Sequence, residues 1–384
     1  MILVINCGSS TLKFRLYDTE LKELASGIAE RVGLRRSFVD FRFGKEKTRR
    51  NFAGGLSDHR AALGEVFALL EEFGVEKREI VACGHRVVHG GTEFVEPTLL
   101  TKNAVERLHR YSRLAPLHNP PAVSGIEAAS ELLPRAAQAA MFDTSFHATI
   151  PAHAHTYAVP HRWTEKYGLR KYGFHGISHR YVTEEAARRL KKPLDRINLV
   201  TCHLGSGASV TAVERGRSVD TSMGFTPLAG VMMSTRSGDI DPAIPLHLTM
   251  TEGLEAEDVT DVLNRESGLR GVSGHADLRN VLALLGHDIP GFTPKRRPTK
   301  EELERARLAF DMLTYSVARY VGSYVALLGR VDAVVFTAGV GERSAPVRRG
   351  VMARIKLRPK PKALVIPTNE ELMIARETRR LAGV

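Results

Sequence analysis

Cysteine is scarce in this chain. Its three residues, Cys7, Cys83 and Cys202, lie far apart and form no CxxC pair, so neither a disulfide framework nor a thiolate metal site is expected. Long apolar runs are missing as well, since nothing approaches the ~20 residues that cross a bilayer as a helix. The first apolar run is only Ile2 to Ile5, with no basic residues before it. No secretory leader is read there, and a cytoplasmic location is expected. No GxxxxGK[ST] loop occurs, and the glycine-rich bends do not form the GxGxxG of a Rossmann unit. Aromatic residues do not interleave with the basic runs GFTPKRRPTK and ARIKLRPKPK, as a stacking platform for nucleic acid requires. The net charge of +12 is therefore read as a basic, solvated surface, and neither nucleic acid nor membrane is expected as a partner.

What is present is an ordinary globular composition, 43% hydrophobic and 26% charged, over 384 residues. That length suggests two domains. Apolar runs alternate with helical patterns, which reads as α/β. Strands are expected at 3–6, 12–17, 80–83, 137–142, 197–202, 209–213, 333–336 and 364–366. Helices are expected at 59–73, 122–132, 181–190, 301–328 and 370–381. Two helix starts carry capping-box pairs, Thr299 with Glu302 and Thr368 with Glu371. The PAHAHTYAVPHRW stretch reads as a domain boundary. One echo carries more weight: LVINCGSSTLKFRLYD at 3–18 and LVTCHLGSGASVTAVE at 199–214. Each is an apolar strand, a bend of small residues and an alternating strand, which suggests a duplicated domain.

Glycine-rich bends after strands expose backbone N–H groups that can hold phosphate oxygens. Gly205-Ser206-Gly207 and Gly339-Val340-Gly341 fit that task, and tight turns are the competing reading. Arg86 in GHRVVHGG and Arg236 in MMSTRSGDIDP offer forks for carboxylate or phosphate, against a structural salt bridge. Asp143 ends the apolar run AAQAAMFD, where open α/β sheets bind ligands, against an N-cap or Asx turn. His85 and His89, like His175 and His179, are four apart. A zinc site is disfavoured, because HRVVHGG reads as a strand that would hold its rings ~13 Å apart and no carboxylate lies beside HGISH. Histidines that donate to phosphoryl oxygens fit better. Glu370, left free if Glu371 pairs with Thr368, could hold a magnesium ion.

The motifs VINCGSSTLKF, GHRVVHGG, LAPLHNPP, FDTSFHATIP, RKYGFHGISHRYV, CHLGSGASV, DTSMGFTPLAG, FTAGVGERS and VIPTNEELMIARET together resemble the acetate kinase family, from residue 2 to 378. The resemblance implies two duplicated actin-like, ribonuclease H-like α/β domains with a cleft between them. One covers 1–150 with a C-terminal helix at 371–384. The other, at 151–370, binds the nucleotide. It implies reversible, in-line phosphoryl transfer between ATP and acetate with Mg2+ (or Mn2+) and a homodimer. By motif, Asn6 and Glu370 would place the metal, and Thr11 and Lys13 would face the nucleotide phosphates. Arg86, Arg236, Asp143 and His175 would be catalytic, with His118 and His203 in support. His203, Leu204, Gly205, Ser206 and Gly207, with Gly339, Val340, Gly341, Glu342 and Arg343, would cradle ATP. Asp277, Leu278 and Arg279 would lie near the adenosine, and Val88, Leu117, Phe174 and Pro227 around the substrate methyl. Cationic and amide donors from both lobes are expected to converge on one spot.

The chain also departs from the family pattern. Thr11 stands where Ser is usual, and Ser206 and Arg343 where Asn is usual. GHDIPGFTPKRRPT reads as an insertion, and the stretch after Arg349 as a deletion of about twenty residues, by comparison with ordinary connection lengths. Propionate or butyrate kinase are alternatives, because one methylene is worth only ~1–3 kcal/mol of discrimination. An actin-like scaffold without catalysis is the rival from another class.

Overall fold

The computed structural model describes residues 1–116, 118–292 and 296–384. The chain divides into two compact units, 1–146 with 369–384, and 147–368.

The first unit is built on an eight-stranded sheet. Its strands are β1 (Ile2–Gly8), β2 (Thr11–Tyr17), β3 (Glu23–Glu30), β4 (Ser37–Phe43), β5 (Glu46–Phe52), β6 (Ala82–Val87), β7 (Thr98–Leu99) and β8 (Ala137–Phe142). The order is β5-β4-β3-β2-β1-β6-β8-β7. β1, β6 and β8 are parallel, while β1 through β5 form an antiparallel meander. β1 and β2 turn through Ser9-Ser10, with Gly8 opposite Thr11. The helices His59–Glu72 and Asn119–Leu132 pack together, and the second covers β1 and β6. Leu3, Ile5, Phe14, Val66, Phe67 and Leu70 are among the residues of the core on that side. The helix Glu370–Ala382 packs on β1, β6 and β8. Gly84 permits its approach: a Cβ there would lie 2.2 Å from the Thr378 Oγ1.

The second unit repeats the plan with five strands: β9 (Leu199–Leu204), β10 (Ala208–Glu214), β11 (Arg217–Thr221), β12 (Ala333–Thr337) and β13 (Lys362–Val365). Their order is β11-β10-β9-β12-β13, with β9, β12 and β13 parallel. It matches β3-β2-β1-β6-β8 strand for strand, as the two echoing hairpins suggest. β9 is buried along its whole length, as a strand covered on both faces must be. The helices Gly176–Arg189 and Lys300–Leu328 both pack on it. Thr299 and Glu302 close the expected capping box of the longer helix.

Three expectations need correction. Thr368 does not cap the last helix. Asn369 does, its side chain accepting from the Leu372 N–H, because the Thr368 hydroxyl is engaged with the Ser178 Oγ at 2.8 Å. The glycines of GVGER form no loop ahead of a helix. They lie inside a short helix, Ala338–Arg343, that follows β12 without a spacer. Ala338 absorbs the reversal with φ 62°, a left-handed conformation that costs a β-carbon residue free energy and concentrates at functional turns. Finally, β3, β4, β5, β7 and β11 were not expected from the sequence.

Candidate active site

In an open sheet the carboxyl ends of parallel strands present backbone and side chains to a ligand. In the first unit that edge carries Arg86, on the last turn of β6, and Asp143, just after β8. The Asp143 N–H donates to the Val87 carbonyl at 3.0 Å, which fixes where its carboxylate emerges. Arg86 then donates to it twice, Nε to Oδ1 at 3.0 Å and Nη2 to Oδ2 at 2.7 Å. Glu370, at the start of the last helix, lies 3.6 Å from the Arg86 Nε. Burial works against the guanidinium charge, but Asp143 and Glu370 outweigh it and raise the Arg86 pKa. The Glu370 carboxyl is pushed upward, chiefly by burial and then by Asp143 and Glu371, against the pull of Arg86 and Lys13. Asn6 sits on β1 directly across from Lys13 on β2. Thr11 opens β2, its hydroxyl oxygen 2.7 Å from where a Cβ on Gly8 would stand.

Val88 follows β6, and His118 takes the N-cap position of Asn119–Leu132. Leu117 lies outside the described residues.

The matching edge of the second unit carries a set of histidines and hydroxyls. His175 begins the helix Gly176–Arg189 in the left-handed conformation, φ 58°. Its ring stacks on His203 of β9, centroids 4.1 Å apart. The His175 Nδ1 is 2.9 Å from the Ser209 Oγ. That same hydroxyl is 2.7 Å from the His179 Nε2, and the His179 Nδ1 is 2.7 Å from the Thr201 Oγ1. Burial, then His147 and His203, hold His179 well below an ordinary histidine pKa, so it is neutral. His203 Nδ1 meets the Ser178 Oγ at 2.8 Å. Phe174 is buried beside them, its carbonyl accepting from the His147 Nε2 at 3.0 Å.

Gly205, Ser206 and Gly207 form the three-residue turn between β9 and β10, since Leu204 pairs with Ala208. A Cβ on Gly207 would stand 3.3 Å from the His175 Nε2 and 3.6 Å from the Arg236 Nη1. Those two donors and the glycine therefore border one small space. Arg236 is partly buried, and that burial lowers its pKa. Among the described residues its Nη1 meets the Pro227 carbonyl at 3.3 Å and the Met233 sulfur, and no carboxylate pairs with it. A guanidinium drawn out of water without a counter-charge is costly, and a bound anion removes that cost.

The loop around Arg236 is fixed by Asp239, which the sequence analysis passed over. Its Oδ1 accepts from the Gly230 N–H at 2.7 Å. Its Oδ2 accepts from the Arg319 Nη2 at 2.7 Å and the Tyr320 hydroxyl at 2.6 Å, both on the long helix Lys300–Leu328. The Arg236 carbonyl accepts from the Met233 N–H at 3.2 Å. It also lies 2.7 Å from where a Cβ on Gly268 would stand, so only glycine lets that backbone approach. The signal for Asp239 was the acid within SGDIDP; nothing local showed its partners eighty residues on.

The remaining expected nucleotide residues are placed as follows. Asp277 caps the helix Leu278–Leu284, and Arg279 doubles back onto its carboxylate. Gly339, Val340, Gly341, Glu342 and Arg343 make up the short helix after β12. The Glu342 Oε1 accepts from the Thr368 N–H at 3.1 Å, a structural tie between that helix and the segment after β13. Among the described residues no cluster of three or more His, Cys, Asp or Glu side chains could hold a metal.

A family model described as the acetokinase family matches residues 1–359. The chain belongs to the acetokinase family. It is 44% identical to the acetate kinase of Carboxydothermus hydrogenoformans, over 99% of this chain and 98% of that protein. It is 45% identical to the acetate kinase of Acetivibrio thermocellus, over 99% and 98%. Among solved structures it superposes on a propionate kinase from Francisella tularensis with a TM-score of 0.89 and 37% identity, over 99% of each chain. It superposes on Porphyromonas gingivalis acetate kinase with a TM-score of 0.88 and 36% identity, again over 99% of each. The fold is accordingly the two-domain, actin-like one, and this acetokinase family member is a kinase that transfers a phosphoryl group to a carboxylate.

Proposed function

We propose that the chain catalyses ATP + acetate ⇌ ADP + acetyl phosphate by direct transfer. An acetate oxygen attacks the γ-phosphorus, the new O–P bond forms as the bond to the β-bridging oxygen breaks, and ADP leaves with that electron pair. The observation that carries this reading is Arg236: a partly buried guanidinium beside the His175 Nε2 and Gly207, with no acidic partner among the described residues. Phosphoryl transfer needs positive charge and donors where equatorial oxygens gather negative charge, and little covalent help. Arg236 and His175 supply that, and the Gly205–Gly207 amides fit the nucleotide phosphates.

The hydroxyl chain sets the His175 tautomer. For Nε2–H to face a phosphoryl oxygen, Nδ1 must accept from Ser209. Ser209 must then accept from the His179 Nε2–H, and His179 Nδ1 from the Thr201 hydroxyl. Each link matches a contact of 2.7 to 2.9 Å. Asp143, gripped by Arg86, orients that arginine and is not a base, because a carboxylate acceptor carries no proton near neutral pH.

Glu370 and Asn6 fit a hard divalent cation. Glu370 is a partly buried carboxyl pressed by neighbouring carboxylates, which a cation would relieve, and both residues offer oxygen ligands. Mg2+ there would neutralise phosphate charge. We assign 1–150 with the C-terminal helix 371–384 to one actin-like domain, and 151–370 to a second one that binds the nucleotide. A cytoplasmic place in acetate metabolism, leading towards acetyl-CoA, is part of this reading. A homodimer is supported by the helix Ala243–Met250, which buries none of its residues and leaves Leu246 58% and Met250 82% exposed, an apolar face that suits a second copy.

Pro227, whose carbonyl meets Arg236, and Phe174, next to His175 in the chain, suit a short acyl group. The likeness to a propionate kinase makes propionate the second reading. Hydroxamate detection of acyl phosphate, with kcat/KM for acetate, propionate and butyrate under Mg-ATP, decides. Acetate should give the highest value. Nucleotide binding without acyl phosphate would instead mark a scaffold.

A further inference from the structure

The amino ends of the second unit's parallel strands carry a cavity whose lining includes none of the site residues named above. Its volume is 780 Å3. It lies where β9, β12 and β13 begin, the edge opposite the glycine bends. The walls are apolar, from Leu190, Val325, Val331, Leu357, Pro359 and Pro361. The rim is cationic: Lys192, Arg330, Arg358, Lys360 and Lys362. Asp332 is the single acid of the lining and is engaged with Lys192. A second cavity of 450 Å3 adjoins it, sharing Lys192, Arg330 and Asp332 and adding Arg196 and Arg215 with one further acid, Asp195.

Elsewhere on this chain arginines are commonly matched. Arg42, Arg49, Arg50, Arg279, Arg296 and Arg354 each hold a carboxylate. Arg330, Arg358, Lys360 and Lys362 form no such pair among the described residues. Like charges gathered at one concave, low-dielectric surface raise the local potential and draw in anions. Phosphate suits this rim, because arginine forks grip it in pairs while lysines add point charge. Inorganic phosphate would leave the aliphatic and proline walls bare. An organic body on the same ligand would cover them.

We propose that this cavity binds an organic polyphosphate, phosphates on the basic rim and the apolar body against the walls, as a site separate from the transfer centre. Nothing in the proposal depends on which acyl chain the enzyme prefers.

The test is calorimetric titration of the whole protein held in saturating Mg-ADP, so that the nucleotide site is filled. Adenosine 3′,5′-bisphosphate and inorganic tripolyphosphate serve as probes. The bisphosphate should bind with one equivalent, weaken as salt rises, and lose about tenfold or more in affinity in Arg358→Glu/Lys360→Glu, as expected for two charge-assisted contacts removed. The kcat and KM for acetate should stay unchanged. The milder Lys360→Gln/Lys362→Gln variant should lose affinity in the same direction. Tripolyphosphate should bind more weakly, for want of a body. No binding at low salt overturns the proposal. So does binding equal in the variants, or binding that excess Mg-ADP abolishes. Tighter binding of a short DNA duplex, lost in the same variants, would replace the small ligand by nucleic acid.

Discussion

Arg86 holds Asp143 in a fork, Nε and Nη2 each donating to a different carboxylate oxygen at 3.0 and 2.7 Å. The pair ties the ends of two parallel strands, β6 and β8, and leaves the Arg86 Nη1 without a hydrogen bond among the described residues. A guanidinium anchored on one side in this way is aimed on the other. Asp143→Asn and Asp143→Ala should therefore both lower kcat by about 10²-fold, the scale of a small misplacement at a reacting centre. The pH–rate profile should keep its shape. Recovery of the Asn variant at high pH would mean that Asp143 removes a proton after all.

Ser209 joins His175 to His179 through one hydroxyl. Ser209→Ala should lower kcat about tenfold or more, up to the ~10²–10³-fold of a donor lost outright at a transition state, while leaving KM for ATP nearly unchanged. Ser209→Thr, which keeps the hydroxyl, should recover much of the loss. Nitrogen NMR of the His175 ring gives the direct reading: Nε2 protonated in the parent, mixed tautomers in the Ala variant. An unaltered tautomer in Ser209→Ala would dismiss the chain of donors as structural only.

Asp239 works through Arg236 without touching the space beside Gly207. Asp239→Ala leaves the buried Gly230 N–H without its acceptor, a loss of about 1–3 kcal/mol in stability, while the exposed Arg319 and partly exposed Tyr320 donors turn to water at little cost. The more telling readout is KM for acetate, expected to rise about tenfold with kcat falling less, because a loosened loop blurs where Arg236 stands. Asp239→Asn should lie between. Equal KM in all three would confine Asp239 to holding the fold.

Local patterns in the sequence carried the two hairpins, the β8 span and the Thr299–Glu302 capping box, because each depends on residues within a few positions. The meander beyond β2 was not legible. β5 reads EKTRRNF and is largely exposed, so no alternation marks it, and its stability comes from pairing with β4. Thr368 and Asn369 are both good caps by type. The choice between them is made by Ser178, nearly two hundred residues away. The arginines, Asp143 and the histidines stood out as residue types in motifs. Their partners did not: that Arg86 is matched by a carboxylate while Arg236 has none among the described residues follows only from the folded chain. The role of Asp239 was hidden for the same reason, since its partners Arg319 and Tyr320 lie eighty residues on.

The buried histidines should make the protein sensitive to acid in a definite pH window. His85 is 2% exposed and bonds through Nε2 to the Gln138 Oε1 at 2.8 Å. Burial outweighs that hydrogen bond and lowers its pKa to about 4. Burial lowers His89 to about 4 as well. In the unfolded chain both titrate near the ordinary value of about 6.5. Between those limits the unfolded state binds protons that the folded state refuses, so stability is whole above about pH 6.5 and is lost as pH falls towards 4. For His85 alone the loss is on the order of 3 kcal/mol at the bottom of that window. His85→Gln removes the titrating ring, so its melting temperature should fall less between pH 7 and 4.5 than the parent's, even if it starts lower from imperfect packing. The slope against pH is the quantity to compare, because it isolates proton binding from the cost of the substitution. Parallel slopes in parent and variant would show that the His85 ring takes up its proton equally in both states, contrary to its burial.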